Sequence, residues 1–343
     1  MTAIATPLPE QWLTITPAGL WCEPGGFYLD PHRAVDRAII THGHSDHARA
    51  GHGHVLATAE TIAIMRGRMG ASGLKSAQGL RYGECLRVGE VDVTLHPAGH
   101  VLGSAQIALD YRGARIVLSG DYKRRRDPTC PPFEPVPCDV FITEATFALP
   151  VFRHPDDRAE IARLLASRAL FPDRAHLVGA YSLGKAQRMI RLIREAGHAG
   201  PIHTHGAMEG MNALYQSCGI DLGELRPVIG ASKEELRGTL VLCPPSALRD
   251  RWARRFDDPV LAMASGWLGV KQRAKAMGLE LPLVISDHAD WDELTRTLVD
   301  VGAPRVWVTH GNEEALVHWA RGQGFDAQAL SLVGYGDEGG EAE

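Results

Sequence analysis

Residues 41 to 51 read THGHSDHARAG, a stretch that gathers His42, His44, Asp46 and His47 and separates them with nothing larger than serine. Side chains two apart on an extended or looped segment point the same way, so His42 and His44 can grip one cation. Asp46 and His47, further along, reach a second, and small Gly43 and Ser45 leave both ions room. Imidazole and carboxylate ligands favour zinc, manganese or iron, and the histidine richness leans toward zinc. The bland alternative is a histidine-rich surface loop or an expression tag, but a tag is terminal and monotonous and this run is neither.

One loop cannot fill two coordination spheres, so further ligands must arrive from elements that end nearby. The preceding RAIIT is β-branched and apolar and predicts a buried strand ending at Thr41, with a polar turn or helix opening at Ala48 and Arg49. Three other apolar runs end in candidate ligands: HPAGHVLGS offers His100, IVLSGDYK offers Asp121, and VWVTHGNEE offers His310. His96 is the weaker choice beside His100 because it falls within the strand pattern. A carboxylate has two oxygens, so Asp121 can bridge two ions. A strand-terminal Asp or His taken alone is more often a turn former; three of them beside the 42–47 cluster change that weighting. Asp30, in FYLDPHR, is assigned to orienting a ligand histidine, with an Asp-Pro turn as its alternative.

The elements needed to carry these residues follow from periodicity. VDVTLHPAG, AQIALDY, ARIVLSGD and DVFITEA predict strands of a β-rich layer, and between about 157 and 200 the spacing becomes helical around a strand in AHLVGAYS. TLVLCPP adds a strand before an amphipathic stretch at 246–256, and LPLVISDHAD, a helix from Trp291 and RVWVTHG predict a closing βαβ unit. The expected plan is a first domain over 1–155, an α/β insert over 156–275, and a return to the first domain over 276–343.

Composition narrows the classes. The chain has 343 residues, 45% hydrophobic and 22% charged, with a net charge of -5, an ordinary globular balance in which only the acidic tail from Asp337 is expected to be disordered. No apolar run approaches a membrane span and the first residues lack a basic start and apolar core, so a cytoplasmic location without a membrane partner is expected. The six cysteines form no CxxC pair and are expected to be reduced thiols. The charge is uneven: residues 156–275 carry 18 basic and 13 acidic side chains, a local excess of +5. Much of that excess, such as RMIRLIR, is equally read as the solvated face of an amphipathic helix.

HGHSDH, GHVLGS and SGDY resemble the metal motifs of the metallo-β-lactamase fold. FITEATF, VISDHADW and VWVTHG resemble the added motifs of its β-CASP nuclease branch, and the likeness runs almost end to end, with DPHR and DPTCPPFEPVPCDVFITEATF in the style of the bacterial DNA-ligase-associated exonucleases. The resemblance implies an α/β protein, a metallo-β-lactamase αββα sandwich with an inserted α/β β-CASP cap. It further implies two divalent ions, zinc with manganese as the alternative: His42, His44 and His100 on one, Asp46, His47 and His310 on the other, and Asp121 between them. Asp46 and Asp121 thereby belong to the catalytic set, with His288 as general acid and Glu144 as its partner; the plain alternatives are a helix-start histidine and a structural salt bridge.

Ser182 as a helix cap, with Lys185 and Arg188 of YSLGKAQR, offers a phosphate seat, and Lys123 to Arg126 beside Asp121 a second basic contact; an ordinary capped helix and a solvated basic turn are the alternatives. Trp267 either stacks on a base or packs in a core. The implied activity is DNA exonuclease action in repair, alongside a DNA ligase and helicase. The competitors are an RNA-cleaving enzyme of the same architecture, a small-molecule metallo-hydrolase, and a silent nucleic-acid binder. Within the resemblance, a histidine at the position of His310 is the pattern of RNA-cutting members.

Overall fold

A computed structural model describes residues 6–70 and 73–330; the tail from Asp337 lies outside the described residues. The described residues fall into two compact units, one running up to Val151 and resuming at His288, the other comprising Phe152–Asp287.

The first unit holds two sheets. The strands Leu13–Thr16, Gly19–Cys22, Phe27–Leu29, Arg37–Ile39, His54–Ala57 and Ser76–Gly79 lie side by side in chain order. The other sheet runs in the order Asp326–Ala329, Arg305–Gly311, Val140–Ala145, Ala114–Leu118, Ala105–Tyr111, Val91–Pro97, Cys85–Val88. Alternation decides what each face covers. Ile116 and Leu118 point into one core with Leu29, Ile39, Leu56 and Trp307, between the two sheets. Val117, Phe141, Val306 and Val308 point the opposite way, onto Leu294 and Leu298 of helix Trp291–Val301 and Leu316 and Val317 of helix Glu313–Gly322. On the outer face of the first sheet, Ala38, Ile40 and Val55 cover Ile62 and Met65 of helix Ala59–Met69. The layers are therefore helix, sheet, sheet, helix, as expected. Each fully buried Leu or Ile contributes about 1.5–3 kcal/mol.

This topology creates one edge rich in strand ends. Val91–Pro97 and Ala114–Leu118 are both antiparallel to Ala105–Tyr111, and Val140–Ala145 and Arg305–Gly311 continue parallel to Ala114–Leu118. All four strands therefore deliver their C-terminal ends to the same side, and His100, Asp121, Glu144 and His310 sit at or just beyond those ends.

The second unit is a six-stranded parallel sheet in the order Leu225–Pro227, Ile202–Thr204, Leu240–Cys243, His176–Gly179, Val260–Ala264, Leu281–Leu283. It carries helices Asp157–Leu170 and Lys185–Glu195. The amphipathic stretch at 246–256 forms two short 3-10 turns, Pro245–Arg249 and Arg251–Arg255.

Two expectations are corrected here. Leu281–Leu283 pairs with Ala262–Ala264, so the insert runs on to Asp287 and not to 275, and it begins at Phe152 where 156 was expected. The closing βαβ unit consequently omits that strand: it consists of Arg305–Gly311, Glu313–Gly322 and Asp326–Ala329. All six cysteines are free thiols. Among the described residues no helix is long and apolar enough to cross a membrane.

Candidate metal centre

Strand Arg37–Ile39 is an interior strand of the first sheet, and the chain beyond it turns at 41–47 without forming a helix. The turn brings His42 Nε2 to 3.1 Å from His44 Nδ1 and 3.3 Å from Asp121 Oδ2, while His100 Nε2 lies 3.0 Å from His44 Nδ1 and 3.8 Å from Asp121 Oδ2. Four ligand atoms of His42, His44, His100 and Asp121 thus lie within 4.8 Å of one another. A tetrahedron with metal–nitrogen bonds near 2.0–2.1 Å has edges of about 3.3–3.4 Å, so these spacings fit one divalent ion.

A second group of His47, Asp121 and His310 shares the same carboxylate, with His47 Nε2 3.4 Å from Asp121 Oδ2. Asp46 stands beside it, Oδ2 3.7 Å from His47 Nε2, and is the more exposed of the expected ligands. The structure thus brings His42, His44, His100, His47, His310 and Asp121 together, with Asp46 at their margin. His96 stays in its strand opposite Gln106, outside both groups.

Asp30 lies against His47. Its Oδ2 lies 2.7 Å from His47 Nδ1, which leaves Nε2 of that ring facing Asp121. Asp30 also accepts from the Thr41 amide at 2.8 Å and the Thr41 hydroxyl at 2.5 Å. That hydroxyl lies 3.0 Å from His42 Nδ1, so Thr41, which the sequence reading used only as a strand end, supports two ligand rings. Two backbone features aim the ligands. Asp30 and His310 hold φ values of 39° and 56°, a region that non-glycine residues seldom occupy and that concentrates at functional sites. The pairing of Val140–Ala145 with Arg305–Gly311 slips so that Glu144 faces Thr309 and Ala145 faces Gly311, leaving His310 as the extra residue of a bulge.

Burial and neighbouring charge divide the imidazoles. Burial, reinforced by the His47 charge, holds His42 well below its ordinary value and brings His310 down to about 4. Burial opposes protonation of His47 as well, but the carboxylates of Asp121, Asp46 and Asp30 outweigh it and raise His47 well above its ordinary value. Asp121 is held well below the usual carboxylate range, the charges of His47 and His42 overcoming its burial.

Next to it, His288 Nδ1 lies 2.9 Å from Glu144 Oε2, and the His288 and His100 ring centroids are 4.7 Å apart. Glu144 is fully buried, its value raised by burial against the pull of His288, and its Oε1 accepts from the Tyr122 amide at 2.7 Å. The Glu144 carboxylate thereby fixes the orientation of the His288 ring.

Comparison with known proteins bears on this geometry. No family model matches the chain. A protein named Probable DNA ligase from Opitutus terrae is 30% identical over 91% of this chain, which spans only 30% of that protein. Ribonuclease TTHA0252 of Thermus thermophilus is 25% identical over 91% of this chain and 89% of its own length. Subunit 3 of the cleavage and polyadenylation specificity factor of Dictyostelium discoideum is 26% identical over 56% of this chain and 26% of its own. The chain has the metallo-β-lactamase fold with a β-CASP cap, and its sequence is similar to nucleases of that architecture. A crystal structure of a protein of unknown function from Enterococcus faecalis shares the fold, with a TM-score of 0.55 at 14% identity over 79% of this chain and 74% of that one.

Against this β-CASP frame, the basic residues expected to seat phosphate are engaged elsewhere. Arg188 is fully buried: one guanidinium nitrogen donates to Asp157, and another donates to the Ser286 carbonyl and lies 3.3 Å from Asp287. Lys185 pairs with Asp287 at 3.2 Å. Ser182 does not cap the helix; Gly184 holds that position, and the Ser182 carbonyl accepts from Gln187. Lys123 is buried, Arg124 and Arg125 bind Asp300 and Asp290, and Arg126 is exposed. The RMIRLIR arginines are not a solvated face either: Arg191 donates to the Asp221 carbonyl and Arg194 to those of Leu222 and Glu224. Trp267 is half-buried, edge-on to Phe152 at 5.1 Å with the Arg273 guanidinium 4.6 Å above its ring, which is a packing role.

Proposed function

We propose that this chain hydrolyses phosphodiester bonds in nucleic acid, using two divalent cations, zinc in the first instance, held by His42, His44 and His100 on one side, Asp46, His47 and His310 on the other, and Asp121 between. The observation that carries the reading is one carboxylate, Asp121, common to two clusters of imidazoles that could each hold a cation, beside a histidine–glutamate pair. Bound there, divalent cations supply a water that is nucleophilic near neutral pH and neutralise charge developing on the phosphoryl oxygens.

The chain's own residues do the rest. His42, His44, His47, His100, His310, Asp46 and Asp121 fix the position and charge of the centre. Asp30 and Thr41 hold the imidazoles in the ligating tautomer. His288, oriented by Glu144 through Nδ1, gives a proton to the departing oxygen. A small-molecule hydrolase gives no role to Glu144 and His288.

Removal of nucleotides from a DNA end during repair, in company with a DNA ligase and helicase, is the leading substrate assignment, supported by the ligase-named relative. RNA cleavage is the second reading, favoured by the ribonuclease that matches along nearly its whole length and by a histidine at 310. Digestion of end-labelled DNA and RNA of one sequence by the zinc- or manganese-loaded protein is the test. Faster release of single nucleotides from DNA is expected, and RNA cut faster overturns that assignment. Replacing Asp121 by Ala is expected to abolish cleavage of both while nucleic-acid binding persists; retained cleavage refutes the shared-carboxylate centre.

A further inference from the structure

The run DYKRRRDP offers four cations beside Asp121, and the structure gives two of them partners on the segment that carries His288. Tyr122, the residue after Asp121, donates its amide to Glu144 Oε1 at 2.7 Å and accepts from the Ala289 amide at 2.7 Å. One peptide neighbour of the shared carboxylate thus holds both the glutamate that orients His288 and the residue that follows His288. Three residues on, Arg125 donates Nη2 to Asp290 Oδ2 at 2.6 Å, and its Nε lies 3.4 Å from Glu293 Oε1.

Asp290 and Glu293 form the capping box of helix Trp291–Val301: Asp290 Oδ1 accepts from the Glu293 amide at 3.0 Å, and Glu293 Oε2 accepts from the Asp290 amide at 3.2 Å. The box sets where the chain leaves helical geometry, and His288 lies two residues before it. Its carboxylates are largely buried, with side-chain exposures of 2% and 11%, and they repel one another across a single turn. A planar guanidinium bound to both relieves that repulsion and fixes their separation in a way a point-charge ammonium does not.

We propose that Arg125 is a positioning residue for proton donation, a clamp that locks the start of helix Trp291–Val301 to the Asp121 loop and so fixes His288 relative to the cleavage site. The inference rests on the reading of His288 as the proton donor. Arg124 serves as the control: it binds the same helix further along, through Thr297 at 3.0 Å and Asp300 at 2.6 Å, and has no contact with the capping box.

The test compares a polynucleotide, whose leaving alkoxide needs a proton, with the p-nitrophenyl ester of thymidine 5′-phosphate, whose leaving phenolate does not. Metal-loaded Arg125→Ala is expected to lose kcat roughly 10- to 100-fold on the polynucleotide and less than about threefold on the nitrophenyl ester. Metal content is expected to be unchanged, and Arg124→Ala to resemble the parent in this ratio. Arg125→Lys is expected to fall between. If Arg125→Ala fails to fold, Asp290→Asn keeps the capping oxygen, removes the charge that Arg125 binds, and is expected to give the same selective loss.

Equal losses on the two substrates overturn the inference in favour of a purely structural role. A raised KM with kcat intact and a weaker salt dependence overturns it in favour of a phosphate contact. His288→Ala is run beside them: if it does not discriminate between leaving groups, the proton-donor reading falls and the clamp with it, whereas discrimination by His288→Ala but not by Arg125→Ala removes the clamp alone.

Discussion

Among the clustered imidazoles, His47 is the one whose surroundings favour its protonated form. Its ring is fully buried among three carboxylates and its value is raised well above the ordinary 6.5. A group whose folded value exceeds its unfolded one stabilises the fold fully below the unfolded value, and that contribution is lost as pH rises through the folded value. The raised value of Glu144 works in the same direction. Metal-free protein is therefore expected to lose thermal stability as pH climbs from about 6 to about 9, while zinc-loaded protein, in which His47 must be neutral, gains relative to it over the same interval. Melting curves taken with chelator and with zinc across that range check this, and parallel curves contradict it. The candidate ligands were legible because His42, His44, Asp46 and His47 crowd one short loop and His100, Asp121 and His310 follow apolar runs. Thr41 and Arg125 were not: a threonine closing a strand and an arginine in a basic turn look the same whether or not they support a catalytic ring, and only long-range contacts distinguish them.

Strand pairing decides where His310 points. The bulge opposite Glu144 and Ala145 makes room for one extra residue, and Gly311 then takes φ 124° so the chain can pass close to its neighbour. A Cβ at Gly311 would meet the Ala145 carbonyl oxygen at 2.3 Å and the Thr146 nitrogen at 2.8 Å, both backbone atoms that cannot swing aside. Gly311→Ala is expected to cost about 1–3 kcal/mol of stability and to weaken the site formed by His47, Asp121 and His310 while sparing the other. Metal titration of the variant should then show one tight equivalent where the parent shows two; two tight equivalents would mean that the bulge does not aim His310. The strands AQIAL, ARIVL and VFITE were readable as short apolar runs between turns, and VDVTL by its complete alternation. Asp326–Ala329 was missed because DAQA carries no such pattern and becomes a strand only by pairing with Arg305–Gly311. The capping box at Asp290 and Glu293 was readable in principle, since an aspartate followed three residues later by a glutamate ahead of an apolar run is its signature.

At the scale of the whole chain, the division into two units follows from which residues bury one another. The insert keeps its own core, in which Leu177, Val241, Met263 and Leu268 pack together, and its own buried charges. Several of its arginines are paired within the insert, although the net excess of cations remains: Arg163 binds Glu160, Arg174 binds Asp258 and Glu280, Arg237 binds Asp173, and Arg188 binds Asp157 and Asp287. The far boundary escaped sequence reading because Leu281–Leu283 is too short to announce its partner, and its pairing with Ala262–Ala264 is what holds the segment before His288 to the insert. Arg188 joins the two ends of that unit, Asp157 near its start and Ser286 and Asp287 at its finish. Removing one partner of a buried ion pair leaves a charge without solvent or counter-ion, so Arg188→Met is expected to destabilise the insert by about 3–5 kcal/mol. Replacing Arg188, Asp157 and Asp287 together by apolar residues of similar volume should recover much of that loss, because the burial penalty of the charges disappears with them. Denaturant unfolding of the full chain, followed by fluorescence, measures both. A single variant as stable as the parent, or a triple variant no better than the single, would show that these buried charges do not hold the ends of the insert together.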